Sequence, residues 1–193
     1  SEIIGGLILT GAFLYNGDSM NMAIWRGFFT SISAFCNAGF ALQSDSMMAY
    51  QSSGLILHTV ALLVFLGGIS PGIVVSLPRL VRRQKMSLQQ RVVIIANVAL
   101  ILVGFMAYLA FEWGGQLGDM SYLDRINNAW FQSIIIRTAG FSTIDFGGLH
   151  PATIVITLGL MFVGGSPGGT AGGIRVTTLA VIVAAIISAL KGR

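Results

Sequence analysis

One stretch of the chain limits its possible folds more than any other. Residues 92–111 run for twenty positions without a charge, and the single amide among them is Asn97. A helix of about 20 apolar residues crosses the ~30 Å hydrocarbon core of a bilayer. Composition agrees, because 54% of the 193 residues are hydrophobic and 9% are charged, against about 25% charged in a typical soluble domain. The sequence therefore predicts an all-α integral membrane protein.

Three other apolar segments differ from this span in length. Residues 54–78 are long enough to cross, and residues 151–190 are longer than one crossing and are interrupted by glycines. Residues 2–15 are too short to cross alone. We interpret them as the second half of a helix that begins upstream, since no cleavable leader pattern precedes them.

Basic residues cluster in two places, and by the positive-inside rule both are expected to be cytoplasmic. The formal net charge is +4, but no basic domain surrounds either cluster, so nucleic acid is not an expected partner. The single cysteine, Cys36, excludes an internal disulfide. The clusters are Arg79, Arg82, Arg83, Lys85 and Arg91 in a linker, and Lys191 and Arg193 at the end.

The chain contains the same unit twice, at residues 1–78 and 92–193, joined by the basic linker 79–91. Each unit holds an apolar segment, a short amphipathic stretch, the tripeptide Ala-Gly-Phe, a polar stretch and a second apolar segment. Later in each unit a Gly-Gly pair is followed by Ser-Pro-Gly. The short stretches, 22–35 and 122–136, are too short to cross, and both basic clusters must share one side. The repeat thus predicts tandem units of helix, re-entrant pore helix, filter loop and helix, as in potassium channels.

The loops after the short stretches suit a dehydrated cation, because backbone carbonyls can replace its water ligands. Glycine allows φ values that turn carbonyls inward, and the C-terminal end of a helix carries partial negative charge. We expect the two phenylalanines to pack behind the loops, and Arg137 to brace them by hydrogen bonds to carbonyls. The alternative is that each glycine merely caps its helix. The candidate filter residues are Asn37, Ala38, Gly39, Phe40, Thr138, Ala139, Gly140 and Phe141.

Glycines and a proline interrupt the last apolar segment near its middle. A helix cannot easily continue through them, and such breaks at membrane depth mark transport sites or gates. A packing kink is the alternative, whereas a phosphate loop is excluded because no Gly-Lys-Ser/Thr follows. Arg175 comes next and either acts on cations or extends to the cytoplasmic interface. The candidate gate residues are Gly164, Gly165, Ser166, Pro167, Gly168, Gly169, Thr170, Ala171, Gly172 and Gly173.

At residues 33–40, 137–145 and 161–174 the chain resembles the Trk/Ktr/HKT superfamily of potassium transporters, and most of all its bacterial Ktr-type membrane subunits. The motif order matches the second and third of that family's four pore units. The resemblance implies that Gly39 and Gly140 each supply one filter loop, and that the glycine-rich break is an intramembrane gate below the filter. It implies K+ as the ion held by filter carbonyls, Na+ as a transported or coupling ion, and no covalent cofactor.

The same resemblance implies a multi-pass protein of the bacterial inner (plasma) membrane. Its implied partners are membrane lipid, a second copy in a homodimer, and a cytoplasmic ring of nucleotide-binding regulatory subunits. Counterparts of the family's first and fourth units are missing here, so we expect a piece of a longer protein rather than an association of two short copies.

Two other functions stay open at this point. A secondary transporter of another cation or solute would place acidic or polar side chains in the middle of spans, whereas the carboxylates here fall near loops. A non-conducting membrane regulatory subunit would leave the repeated Ala-Gly-Phe without a role. An enzyme is not expected, because neither His-Glu-x-x-His nor Gly-x-Ser-x-Gly occurs.

Overall fold

The computed structural model describes residues 1–70, 72–74, 87–137 and 139–191. Most of the predicted linker 79–91, together with Thr138 and Arg193, therefore lies outside the described residues. Seven α-helices of twelve or more residues lie within them: α1 (Glu2–Tyr15), α2 (Met20–Phe35), α3 (Gly54–Gly68), α4 (Leu88–Glu112), α5 (Tyr122–Ile135), α6 (Pro151–Phe162) and α7 (Val176–Leu190).

The predicted repeat is visible in the helix packing. Helices α1, α2 and α3 pack against one another, and α4 contacts α5, α6 and α7. Helix α3 also contacts α5, which joins the two units. The main apolar cluster crosses this seam, since it contains Leu9, Phe13 and Val60 together with Phe131 and Ile135. The two units thus share one core.

Helix α4 is, within the described part of the chain, the helix long and apolar enough to cross a bilayer, with 25 residues. It begins at Leu88, earlier than the apolar pattern predicted. Ser87 accepts a hydrogen bond from the Gln90 amide while the Gln90 side chain accepts one from the Ser87 amide. This capping box starts the helix among polar residues that a hydropathy pattern does not register. Four shorter apolar helices, α1, α3, α6 and α7, accompany it.

Helix α3 covers only the first part of the apolar segment 54–78. Helix α3 ends at Gly68, and Ile69 is extended with φ −96° and ψ 138°. The close approach of α2 requires a glycine here, because a Cβ on Gly67 would collide with the Phe35 carbonyl oxygen. The glycine pair at the end of α3 therefore also leaves room for the C-terminal end of α2.

The short helices and the break agree with the sequence pattern. Helices α2 and α5 have 16 and 14 residues, close to the predicted stretches 22–35 and 122–136. The last apolar segment divides into α6 and α7, with irregular backbone between Phe162 and Val176. Pro151 occupies the first turn of α6, where a missing amide hydrogen costs nothing.

Helices α1 and α2 cross at small residues. A Cβ on Gly27 would lie 2.7 Å from the backbone nitrogen of Thr10 and 2.9 Å from the carbonyl oxygen of Gly6. Close helix approach at small residues is the usual basis of helix association in membranes. By contrast, Gly11 on α1 has open space around its α carbon.

This difference predicts opposite effects for two glycine-to-alanine changes. Gly27→Ala is expected to lower the free energy of unfolding by about 1–3 kcal/mol, because the added methyl group forces the helices apart. Gly11→Ala, the control, is expected to raise it by up to about 1 kcal/mol through helix propensity. Thermal unfolding of the detergent-solubilised protein would measure both. Equal midpoints for the two variants would contradict the crossing.

Candidate functional site

The two glycines of the repeated tripeptide lie side by side. Gly39 has φ +73° and Gly140 has φ +79°, a backbone region that side chains rarely adopt. A Cβ on Gly140 would lie 3.7 Å from the Gly39 α carbon, and one on Gly39 would collide with the Ala139 carbonyl oxygen. Two loops 101 positions apart in sequence therefore meet with the same backbone geometry.

Both loops also cap the helices that precede them. The Ala38 amide donates to the Ser33 carbonyl at 2.9 Å, and the Ala139 and Gly140 amides donate to the Ile135 carbonyl at 3.0 and 3.4 Å. These bonds satisfy carbonyls that the helix itself leaves unpaired. Among the described residues, no hydrogen bond is donated to the carbonyl oxygens of Ala38, Gly39, Ala139 or Gly140. The loops thus end the helices, and no described donor occupies these four carbonyl oxygens.

The expectation that both phenylalanines pack behind the loops is half wrong. Phe141 is fully buried, in the cluster that also holds Met47 and Tyr50 of the first unit. Phe40 is 69% exposed. The two positions are equivalent in the repeat but not in space, because Phe141 faces the seam between the units and Phe40 does not. The Ser33 hydroxyl instead holds the Phe40 backbone, through a bond of 2.8 Å to its carbonyl.

The polar stretches beyond the two loops are hydrogen-bonded to each other. The Ser142 amide donates to the Ser46 hydroxyl at 3.0 Å, and the Met47 amide donates to the Ser142 carbonyl at 2.8 Å. The buried side-chain amide of Gln132 donates to Ser142 Oγ at 3.2 Å. The side-chain amide of Gln51 donates to the Thr143 carbonyl at 2.5 Å. These bonds join the outer loops of the two units.

Sequence reasoning missed this network. The sequence feature that best indicates the network is a pair of side-chain amides, Asn128 and Gln132, four residues apart on one face of α5. Asn128 donates to the Gln51 carbonyl at 2.9 Å, and both side chains are fully buried. Amides at that spacing in a short membrane helix indicate a polar partner at the same depth.

Arg137 does not donate to a loop carbonyl in the part of the chain that the structure describes. Its Nη2 donates to Asn97 Oδ1 at 2.8 Å, and Asn97 donates in turn to the Val93 carbonyl at 2.8 Å. The expected bracing of the loop by carbonyl contacts is thus replaced by a link from the end of α5 to the middle of α4. Asn97 is the lone amide in residues 92–111, a signal that could have identified the partner.

The glycine-rich break folds back on itself and onto the first unit. The Gly164 amide donates to the Ile174 carbonyl at 2.9 Å, which ties the end of α6 to the start of α7. Between these residues, the Ser166 and Thr170 amides donate to the Gly68 and Gly67 carbonyls, each at 3.0 Å. The break therefore caps the C-terminal end of α3.

The break also reaches the first glycine loop through one side chain. The Thr170 hydroxyl donates to the Phe35 carbonyl at 3.1 Å and accepts from Asn37 Nδ2 at 2.8 Å. Arg175 Nη1 donates to the Ser166 carbonyl at 3.1 Å, so bracing the break is a third role beside the two that the sequence suggested. The structure thus pairs Gly39 with Gly140, and Asn37 with Thr170.

Two units of helix, short helix, glycine loop and helix around a shared core define an all-α membrane protein built from pore-type repeats. The sequence model of the family described as TrkH, cation transport protein, matches residues 2–193, and the chain belongs to this family. The family resemblance drawn from the motifs is confirmed.

Several characterised proteins are similar to the chain. It is 31% identical over 193 residues to the potassium/sodium uptake protein NtpJ of Enterococcus hirae, covering 100% of this chain and 43% of that protein. It is 32% identical over 194 residues to the Ktr system potassium uptake protein B of Bacillus subtilis, with the same coverage. The crystal structure of the potassium transporter TrkH from Vibrio parahaemolyticus superposes with a TM-score of 0.74 and 23% identity, over 98% of this chain and 39% of that one. The chain spans about two fifths of the length of these relatives.

The Arg137–Asn97 link predicts a stability effect. Asn97→Leu is expected to lower the free energy of unfolding by about 2 kcal/mol, because it leaves the guanidinium without its described acceptor. Asn97→Asp keeps an oxygen at that point and is expected to retain most of the stability. Thermal unfolding of the purified protein in one detergent would compare the two. A leucine variant as stable as the aspartate variant would show that the link contributes nothing.

Proposed function

We propose that this chain forms two pore units of a protein that takes up potassium ions, and that the loops at Gly39 and Gly140 are part of its selectivity filter. One observation carries the proposal: two glycine loops of similar, positive φ lie side by side, and no described residue donates a hydrogen bond to their glycine carbonyl oxygens. A repeat that served only to cap helices would not need to bring its two glycines together.

The chemistry of the loops fits a cation. At membrane depth water is scarce, and irregular backbone is tolerated where it is buried or lines a water-filled cavity. Backbone carbonyl oxygens, such as those of Ala38, Gly39 and Gly140, are the ligand type that replaces the hydration shell of K+. Helices α2 and α5 both end at these loops, so their partial negative charges add to the same attraction.

The glycine-rich break at residues 164–173 is proposed as the gate. It is irregular backbone between two apolar half-helices. Hydrogen bonds hold it to the Gly67, Gly68 and Phe35 carbonyls, to the Asn37 and Arg175 side chains, and to the start of α7. A few hydrogen bonds of about 1 kcal/mol each are a restraint that a regulatory signal can overcome. A packing kink alone would not need a side-chain contact with the filter loop.

The ion and the partners follow from the family. The relatives are named for uptake of potassium, or of potassium and sodium, so K+ is the proposed main ion and Na+ a second or coupling ion. A homodimer, a cytoplasmic ring of nucleotide-binding subunits and the bacterial plasma membrane are proposed from the family resemblance alone.

Tracer uptake into liposomes tests the function. The protein containing this chain, reconstituted at full length, is expected to take up rubidium, with potassium competing far better than sodium. Uptake of another solute would favour a secondary transporter. Absence of cation uptake by folded protein, with and without a cytoplasmic nucleotide-binding partner, would favour the non-conducting regulatory subunit.

The filter assignment predicts the effect of Gly140→Ser. The new side chain is strained at φ +79° and shifts the neighbouring carbonyls, so the ratio of potassium to sodium uptake is expected to fall about tenfold, the equivalent of roughly 1.4 kcal/mol. Gly114→Ser is the control, since Gly114 has open space around it and no positive φ. Unchanged selectivity in a folded Gly140→Ser protein would refute the assignment.

The gate assignment predicts that deleting residues 164–173 raises ion flux, because the restraint across the pore is removed. Rubidium flux would be measured on protein that elutes as a single symmetric species in gel filtration. Gly159→Ala on α6 serves as a control outside the break, because no atom lies within 4 Å of a Cβ at that position. Flux that stays equal or falls in the folded deletion variant would indicate that the break is a packing kink.

A further inference from the structure

The end of α2 is held by the glycine-rich break rather than by its own unit alone. Phe35 is the last residue of α2, and a terminal carbonyl of this kind has no acceptor role within the helix. The Thr170 hydroxyl donates to it at 3.1 Å, and Asn37 Nδ2 lies 3.4 Å from the same oxygen. The Asn37 side chain and the glycine-rich break therefore share the Phe35 carbonyl oxygen as an acceptor.

Asn37 connects this cap to the first glycine loop. It has φ +53°, a conformation that asparagine tolerates better than most residues. Its side chain is 9% exposed, and the Nδ2 atom lies 2.8 Å from Thr170 Oγ1 and 3.4 Å from the Val64 carbonyl. Only Ala38 separates it from Gly39. A shift of the Asn37 side chain can therefore move the Gly39 peptide, because the backbone between them is short and begins in a left-handed conformation.

Thr170 is the residue of the break that holds two helices at once. Its amide donates to the Gly67 carbonyl of α3, and its hydroxyl bonds the Phe35 carbonyl of α2 and the Asn37 amide. The residue is exposed whereas Asn37 is buried, so the bridge lies at the border between the protein and the space beside the loops. A bridge placed there can break without unpacking the core.

We infer that Thr170 and Asn37 form a latch that couples the gate segment to the first filter loop. Movement of residues 164–173 away from α2 breaks the latch, so that the Phe35 carbonyl and the Asn37 side chain each lose their bond to Thr170 and the loop at Gly39 is held less firmly. The inference rests on the proposed filter and gate. Coupling between two sites is reciprocal, so an ion that orders the filter loop also holds the gate segment in place. Thr170 and Asn37 are positioning residues in this account and do not contact the ion.

Three variants separate the latch from ordinary packing. Thr170→Val keeps the shape and removes both hydroxyl bonds, Thr170→Ser keeps the hydroxyl, and Asn37→Asp keeps the size but cannot donate to Thr170. Thr178→Val on α7 is the matched control, because Thr178 is exposed and lies outside the break and the loops.

The first measurement is rubidium flux and its competition by sodium, with full-length protein in liposomes. Thr170→Val and Asn37→Asp are expected to raise flux about threefold to tenfold, the effect of losing one or two neutral hydrogen bonds, and also to weaken discrimination against sodium. Thr170→Ser and Thr178→Val are expected to match the unmodified protein in both properties. Higher flux with unchanged selectivity, or no change in either, would overturn the latch.

The second measurement is amide hydrogen exchange, with and without potassium, and it does not depend on transport. Thr170→Val is expected to speed exchange both in residues 164–173 and in residues 37–40, and to abolish the slowing that potassium causes in residues 164–173. Faster exchange in residues 164–173 alone would overturn the latch even if the protein transports potassium. If the unmodified protein carries no cation flux, the proposed function fails, and the exchange pattern without potassium still decides whether the two segments are coupled.

Discussion

Irregular backbone inside an apolar segment has to find hydrogen-bond partners within the protein, because hydrocarbon supplies none. Here the partner is the end of α3: the Gly67 and Gly68 carbonyls receive the amides of Thr170 and Ser166. This exchange satisfies two segments at once, since a helix end has spare carbonyls and the break has spare amides. It also accounts for the early end of α3 and for the glycine pair there, which leaves room for the Phe35 carbonyl. The positions of α6, α7 and the end of α2 depend on this one junction.

The repeat in sequence does not produce two equal units in space. Phe141 is buried in the seam and Phe40 is exposed, although both follow the same Ala-Gly dipeptide. In the same way, the glycine pair of the first unit ends a helix, while that of the second lies within a long break. A repeated unit keeps its local conformation because turn and cap geometry are local, as the matching φ values of Gly39 and Gly140 show. Its side-chain contacts differ because each copy meets a different neighbour.

Buried polar groups connect the pieces of this apolar chain. Asn97 holds Arg137, Gln132 holds the loop at Ser142, and the buried carboxylate of Glu112 accepts the His150 amide at 2.8 Å at the start of α6. The first and last of these bonds join residues 40 and 38 positions apart in sequence. In a low-dielectric interior a satisfied polar contact is directional and an unsatisfied one is costly. Such contacts therefore determine which loops meet, whereas apolar contacts only determine that the helices pack. A filter needs that directional control, since its ligands are backbone atoms.

The sequence by itself determined the membrane class, the repeat, the two short helices, the position of the break and the family. Those features depend on composition, hydrophobic period and the conformational limits of glycine and proline, which act over a few residues. Tertiary structure alone decided that Gly39 lies against Gly140, that Arg137 bonds to Asn97 rather than to a loop carbonyl, that Phe40 stays exposed, and that Thr170 reaches Asn37. Each of these contacts joins residues tens of positions apart or depends on the neighbouring unit. No local pattern encodes such pairings, because they arise when two separately formed segments satisfy each other's backbone and side-chain groups.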